Sequence, residues 1–140
     1  MKYLLDTCVV SELVKKVPNK KVIKWLEDCE EEFIFLSVLT IGEIQKGISK
    51  LPDSQKKSYI QQWLDRDLSS RFSQRILSIT SEIAATWGQI QAEAEKRGDS
   101  IPTVDGLIGA TAVAHNFTIV TRNEKDIVKT GAKIFNPWNL

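Results

Sequence analysis

A chain of 140 residues, 42% hydrophobic and 26% charged, is long enough to bury a core of its own and has the make-up of an ordinary globular domain. Its formal net charge of +1 excludes binding of nucleic acid by bulk positive charge, although a local patch can do the same work. Two cysteines, Cys8 and Cys29, in no metal-ligand spacing exclude a disulfide-built or zinc-built fold, and no apolar run approaches the roughly 20 residues of a membrane span.

Met1-Lys2 leads straight into a strand pattern over residues 2–5, with no signal-peptide core, so a cytoplasmic protein is expected. A short helix is predicted from Thr7 to about Val14. Pro18-Asn19 marks a turn, and Val22, Ile23 and Leu26 then give a helix with a polar tail from Glu27 to Glu32. Phe33 to Leu36 reads as the second strand. Ser37 is a natural N-cap for a helix that carries Ile41, Ile44, Ile48 and Leu51 on one face, and Pro52-Asp53 breaks it. Ile60, Trp63, Leu64, Leu68 and Phe72 mark another helix. Arg75 to Ile79 reads as a strand, and Thr80-Ser81 opens a helix with Ile83, Trp87, Ile90 and Ala94. After Arg97-Gly98-Asp99, Pro102 starts a last long helix, Thr103 to about Ala114. Phe117 to Val120 is a clear strand, and Ala132 to Phe135 a shorter one. No repeat or linker interrupts the order, which predicts one domain over 1–140. Strands separated by helices argue for an α/β fold with a parallel sheet, whose ligands sit beyond the carboxyl ends of the strands.

Asp6 directly follows the first strand and stands where such a ligand would be. Asp105 is the only charged residue in IPTVDGLIGATAVA, a helix apolar nearly all round. Its first-turn position suits an anion on helix-dipole grounds alone, but an ionised carboxylate beside a core is costly unless paired or metal-bound. Glu43 sits at the edge of an apolar face in SVLTIGEIQKG, where a solvated glutamate is the ordinary case. Thr121 to Asp126 (TRNEKD) follow the strand FTIV, and their composition alone would suit a surface turn. Carboxylates so far apart in sequence can meet at one sheet edge, where they would repel one another and raise some pKa values. A divalent cation removes that repulsion, and oxygen-only ligands favour Mg²⁺ or Mn²⁺, ions that commonly act on phosphate substrates. His115 is expected deep in the apolar helix as a structural residue. A single histidine excludes a paired-histidine ribonuclease mechanism.

Four blocks, LLDTCVVSEL, LTIGEIQKGI, IPTVDGLIGATAVAHN and FTIVTRNEKDI, resemble the PIN domain family, and within it the VapC-like toxins of type II toxin–antitoxin systems. The resemblance spans essentially the whole chain. It implies a three-layer α/β/α fold with a central parallel sheet, and an endoribonuclease that uses Mg²⁺ or Mn²⁺ and water. By position Asp6, Glu43 and Asp105 match the family's first three acids. Asp6 and Asp105 would be the main metal ligands, and Glu43 would bind directly or through water. For the fourth acid, Asn123 stands at the matching place and Asp126 supplies the charge. Thr7, Ser11 and Thr103 resemble the family's supporting hydroxyls, while Cys8 replaces a common asparagine and reads better as a small buried hydrophobe. A VapB-like antitoxin partner is implied, one that pushes a basic side chain into the acidic pocket, as is a homodimer that could use the helices bearing Trp63 and Trp87.

Rival readings fit less well. A haloacid-type phosphatase would need a second acid where Cys8 stands, and a phospho-receiver would need an aspartate after RILSIT. A flap-type nuclease would need more acids and a helical insertion. A catalytically weak PIN-like module that binds RNA or a protein is the main alternative, favoured by Asn123 and opposed by Asp6, Glu43 and Asp105. Lys15, Lys16, Lys20, Lys21 and Lys24 read as a solvated face more readily than as a track for an RNA backbone.

Overall fold

The computed structural model describes residues 1–140. Five parallel strands lie in the order β3-β2-β1-β4-β5, with β1 at Tyr3–Leu5, β2 at Ile34–Ser37, β3 at Ile76–Leu77, β4 at Thr118–Val120 and β5 at Lys133–Phe135. Successive side chains of a strand face opposite ways, and the core divides accordingly. Leu5, Ile34, Leu36 and Val120 enter one hydrophobic cluster, whereas Leu4, Ile119 and the half-buried Phe35 enter a second on the other face.

Helices cover both clusters, giving three α/β/α layers. The first face carries α1 (Thr7–Glu12), α2 (Lys20–Asp28), α3 (Val38–Ser49) and the run from α4 (Gln55–Gln62) through a π-helical segment, Trp63–Leu68, to α5 (Ser69–Arg71). On the second face lies α7 (Thr103–His115), with α6 (Ser81–Lys96) packed on it and the one-turn α8 (Glu124–Ile127) beside it. Small residues let α7 sink in: Gly106 and Ile108 to Ala112 are all buried. A β-carbon on Gly106 would come within 2.9 Å of the Gln91 amide and 3.1 Å of the Trp87 indole nitrogen, and one on Gly109 within 2.5 Å of Thr130. The expected caps form, with the Leu39 amide donating to Ser37 Oγ at 3.1 Å and the Ile83 amide to Thr80 Oγ1 at 3.2 Å. No helix is long and apolar enough to cross a membrane.

Some expectations need correction. Arg75 to Ile79 shortens to Ile76–Leu77, because β3 is an edge strand paired only with β2. Asn123 to Ile127 is not simply a turn but opens α8. Trp63 is only 8% exposed, its side chain packed into the larger cluster of its own chain. Trp87 is half-buried with its indole N–H enclosed against α7. His115 is exposed rather than deep. It is the last residue of α7, which Asn116 ends in the left-handed region at φ 59°, and its ring lies 5.2 Å from that of Phe117.

Candidate active site

Strand order reverses at β1, whose neighbours β2 and β4 lead away in opposite directions, and the crevice beyond that point is where doubly wound sheets hold ligands. Asp6 leaves β1 there and becomes the N-cap of α1, accepting from the Thr7 amide at 2.8 Å through Oδ1. Thr121 leaves the adjacent β4 fully buried and donates its hydroxyl to the other oxygen of Asp6 at 2.7 Å. Both oxygens of Asp6 are thereby oriented without a cation, although the side chain is only 6% exposed.

The remaining acids arrive from three further elements. Glu43 reaches in from α3, and the Thr7 hydroxyl donates to its Oε1 at 2.6 Å while lying 3.4 Å from Thr40 Oγ1. Asp105 stands in the first turn of α7, where the Asn123 amide donates to it at 3.4 Å, and the Asn123 backbone N–H is itself fixed on Thr121 Oγ1 at 2.9 Å. Asp126 lies one turn along α8 and pairs with Lys129 at 3.5 Å. Burial raises the pKa of Asp105, and the charges of Asp6, Asp126 and Glu43 raise it further against the opposing hydrogen bond from Asn123. The structure therefore brings Asp6, Glu43, Asp105 and Asp126 to one end of the sheet, and none of the first three has an ion-pair partner.

Of the supporting residues, Thr7 and Asn123 touch the carboxylates. Ser11 lies half-buried on α1 and makes no side-chain bond to them. Thr103 is exposed and faces a cleft lined by Trp87, Gln91 and Ser100 rather than the acids. Two residues stand out to which sequence reasoning gave no role. Thr121 heads the candidate stretch after the strand FTIV, but only the fold shows its hydroxyl on Asp6. Glu12, 3% exposed on α1, accepts from the Asn19 amide at 2.8 Å and pairs with Lys15, contacts that hold its pKa below the usual range although burial opposes them. Cys8 sits beside the site, its Sγ 3.9 Å from Asp6 Oδ2, and burial and then the Asp6 charge push its thiol pKa up.

Asp6, Glu43 and Asp105 suit a hard divalent cation: oxygen ligands, mutual repulsion and no lysine or arginine paired with any of the three. As the side chains stand, no three of them converge closely enough to grip an ion among themselves. Mg²⁺ keeps several of its waters and is commonly bound through one or two carboxylates, so the chemistry of this donor set can accommodate it without three protein ligands closing on the ion.

Comparison with known proteins agrees with this architecture. The PIN domain model matches residues 3–133. Toxin FitB of Neisseria gonorrhoeae is 35% identical over 136 residues, covering 97% of this chain and 98% of that protein. VapC ribonuclease Y4jK of Sinorhizobium fredii is 32% identical, covering 96% of each. The crystal structure of FitAcB from Neisseria gonorrhoeae superposes with a TM-score of 0.93 at 35% identity, covering 99% of each chain.

Proposed function

The chain belongs to the PIN domain family, and from that premise we propose that it is the ribonuclease toxin of a toxin–antitoxin pair, cutting RNA at the Asp6, Glu43 and Asp105 pocket with Mg²⁺ or Mn²⁺. The observation that carries the reading is the gathering of Asp6, Glu43 and Asp105 at the strand-order switch with no ion-pair partner for any of the three. Asp6, locked by Thr121 and the Thr7 amide, and Asp105, steadied by Asn123, would hold the cation. When bound, it would offset the charge of a backbone phosphate and make water a stronger nucleophile at neutral pH. Glu43 has one oxygen tied to Thr7, and its other oxygen accepts a proton from the attacking water. Asp126, paired with Lys129, acts on the site through its charge.

An antitoxin would silence such a pocket by inserting a guanidinium, which neutralises the carboxylates and competes with the metal. The chain is further proposed to pair with itself, using the helices that bear Trp63 and Trp87. Sedimentation as a monomer at micromolar concentration without antitoxin would refute that pairing.

The function is tested by incubating total cellular RNA with purified, antitoxin-free protein in Mg²⁺, in Mn²⁺ and in EDTA, beside Asp6→Asn and Asp105→Asn. Discrete fragments that vanish with EDTA and in both variants are expected. Asn123 at the fourth position favours one other reading, a PIN-like module that binds without cutting, and intact RNA under every condition with folded protein would overturn the nuclease in favour of it.

A further inference from the structure

Every nuclease of this design faces an electrostatic difficulty: a polyanion must approach a cluster of acids. A cation beside the cluster, placed so that it cannot collapse onto the acids, would resolve it. Arg71, Arg75 and Arg97 do not serve, because each directs its guanidinium at protein acceptors, and Arg66, exposed on the π-helical segment, makes no bond to the site. Arg122 differs. It lies between Thr121, which holds Asp6, and Asn123, which holds Asp105, and its backbone N–H donates to Cys8 Sγ at 3.5 Å. Its exposed side chain has no ion-pair partner and instead stacks on the ring of Trp138, with 4.8 Å between the guanidinium carbon and the ring centroid.

Trp138 is a fixed platform. It occupies a 3₁₀ turn at Pro137–Asn139, immediately beyond β5, and so lies at the same carboxyl edge of the sheet as Asp6 and Thr121. Asn136 pins the turn by accepting from the Trp138 amide at 3.0 Å and donating to Glu124 Oε2 at 3.1 Å. Lys21 Nζ lies 3.5 Å from the Trp138 carbonyl oxygen, which brings α2 beside the turn that carries Trp138. An exposed arginine held over an indole by cation–π attraction, with its guanidinium bonded to no protein acceptor, keeps its fork of N–H donors available for two oxygens of one phosphate.

We propose that Arg122, held on Trp138, grips a backbone phosphate of single-stranded RNA beside the scissile position and thereby positions the strand over the carboxylates. Lys21 and its neighbours on α2 continue the positive track away from the pocket. The proposal rests on the ribonuclease reading above and deepens it, and it makes Arg122 a positioning residue that takes no part in bond breaking.

The test measures binding of a fluorescein-labelled, mixed-sequence single-stranded RNA by anisotropy across a KCl series. Whole protein carrying Asp6→Asn, which cannot cut the probe, is compared with the same protein also carrying Arg122→Gln, Arg122→Lys or Trp138→Phe, each checked for an unchanged thermal melt. Arg122→Gln, which keeps the length of the side chain without its charge, is expected to weaken binding about tenfold. It should also flatten the slope of log K against log salt by about 0.7, the value of one phosphate on a single strand. Arg122→Lys should restore the slope but only part of the affinity, because lysine lacks the fork. In protein otherwise unaltered, Arg122→Gln should raise KM and leave kcat in place, a split that a merely structural role would not produce. Unchanged affinity and slope with Arg122→Gln would overturn the proposal while leaving the function intact, provided that the Arg122→Gln protein still cuts RNA. Loss of antitoxin binding with RNA binding unaltered would overturn it in favour of a protein contact. If the Asp6→Asn protein binds no RNA and the wild-type protein cuts none, before any change at Arg122, both readings fall.

Discussion

Around Glu31 the chain supplies Arg71 at 2.6 Å and Arg75 at 2.8 Å; around Asp105 it supplies Asp6, Asp126 and Glu43, and no cation within ion-pair distance. Burial raises the pKa of both acids, but the two arginines reverse the effect at Glu31, whereas three further carboxylates compound it at Asp105. The chain thus neutralises an acid where an acid is only structural. At the switch point it leaves the charge unbalanced, at a cost to stability that a bound cation would remove.

The sharpest way to break this contrast is to remove a charge from the unbalanced cluster. Asp6→Asn should lower RNA cleavage at least about 100-fold while the protein stays folded, read by single-turnover kinetics and a thermal melt. Thr121→Val should cost about tenfold in the same assay, because it leaves one buried oxygen of Asp6 without its donor.

The balanced cluster should respond in stability alone. Arg75 donates to the Ile34 carbonyl at 2.6 Å as well as to Glu31, so Arg75→Ala should destabilise by about 2 kcal/mol in urea unfolding with cleavage unchanged. Arg71→Ala, more exposed, should cost no more than about 1 kcal/mol.

Asp105→Asn sharpens the comparison from the other side, raising Tm by about 3 °C at neutral pH while abolishing cleavage. The folded state holds the Asp105 proton more tightly than the unfolded chain does, so wild-type stability falls as pH rises from the ordinary carboxylate range through the raised folded value. The gain from Asp105→Asn should therefore be complete above that folded value and disappear in acid. Glu31 behaves oppositely: its lowered pKa contributes stability above the ordinary range, lost as pH falls through the folded value.

Much of this was legible in the sequence, because it is written locally. The strand FTIV, the Ser37 and Thr80 caps and the small-residue helix around Asp105 all follow from neighbouring residues, and so does the position of Asp6 at a strand end. What the sequence hid depends on distant partners. Glu12 resembles any polar residue on a helix until the Asn19 amide and Lys15 close on it. Periodicity gave Trp63 an apolar face but neither what covers it nor the π-helical segment that it opens. Between Asn123 and Asp126 sequence alone could not choose. The fold puts Asn123 in contact with Asp105 and leaves Asp126 acting from the next turn, beside Lys129.

The central claim, that these carboxylates are left unpaired in order to hold a cation, is tested most directly by the melting temperature of the purified chain as Mg²⁺ or Mn²⁺ is added, with and without Asp6→Asn. A cation that binds only the folded state should raise Tm steadily with its logarithmic concentration in the wild-type chain and much less in the variant. A wild-type Tm that ignores both metals up to millimolar concentration, or one that rises equally in the variant, would contradict it.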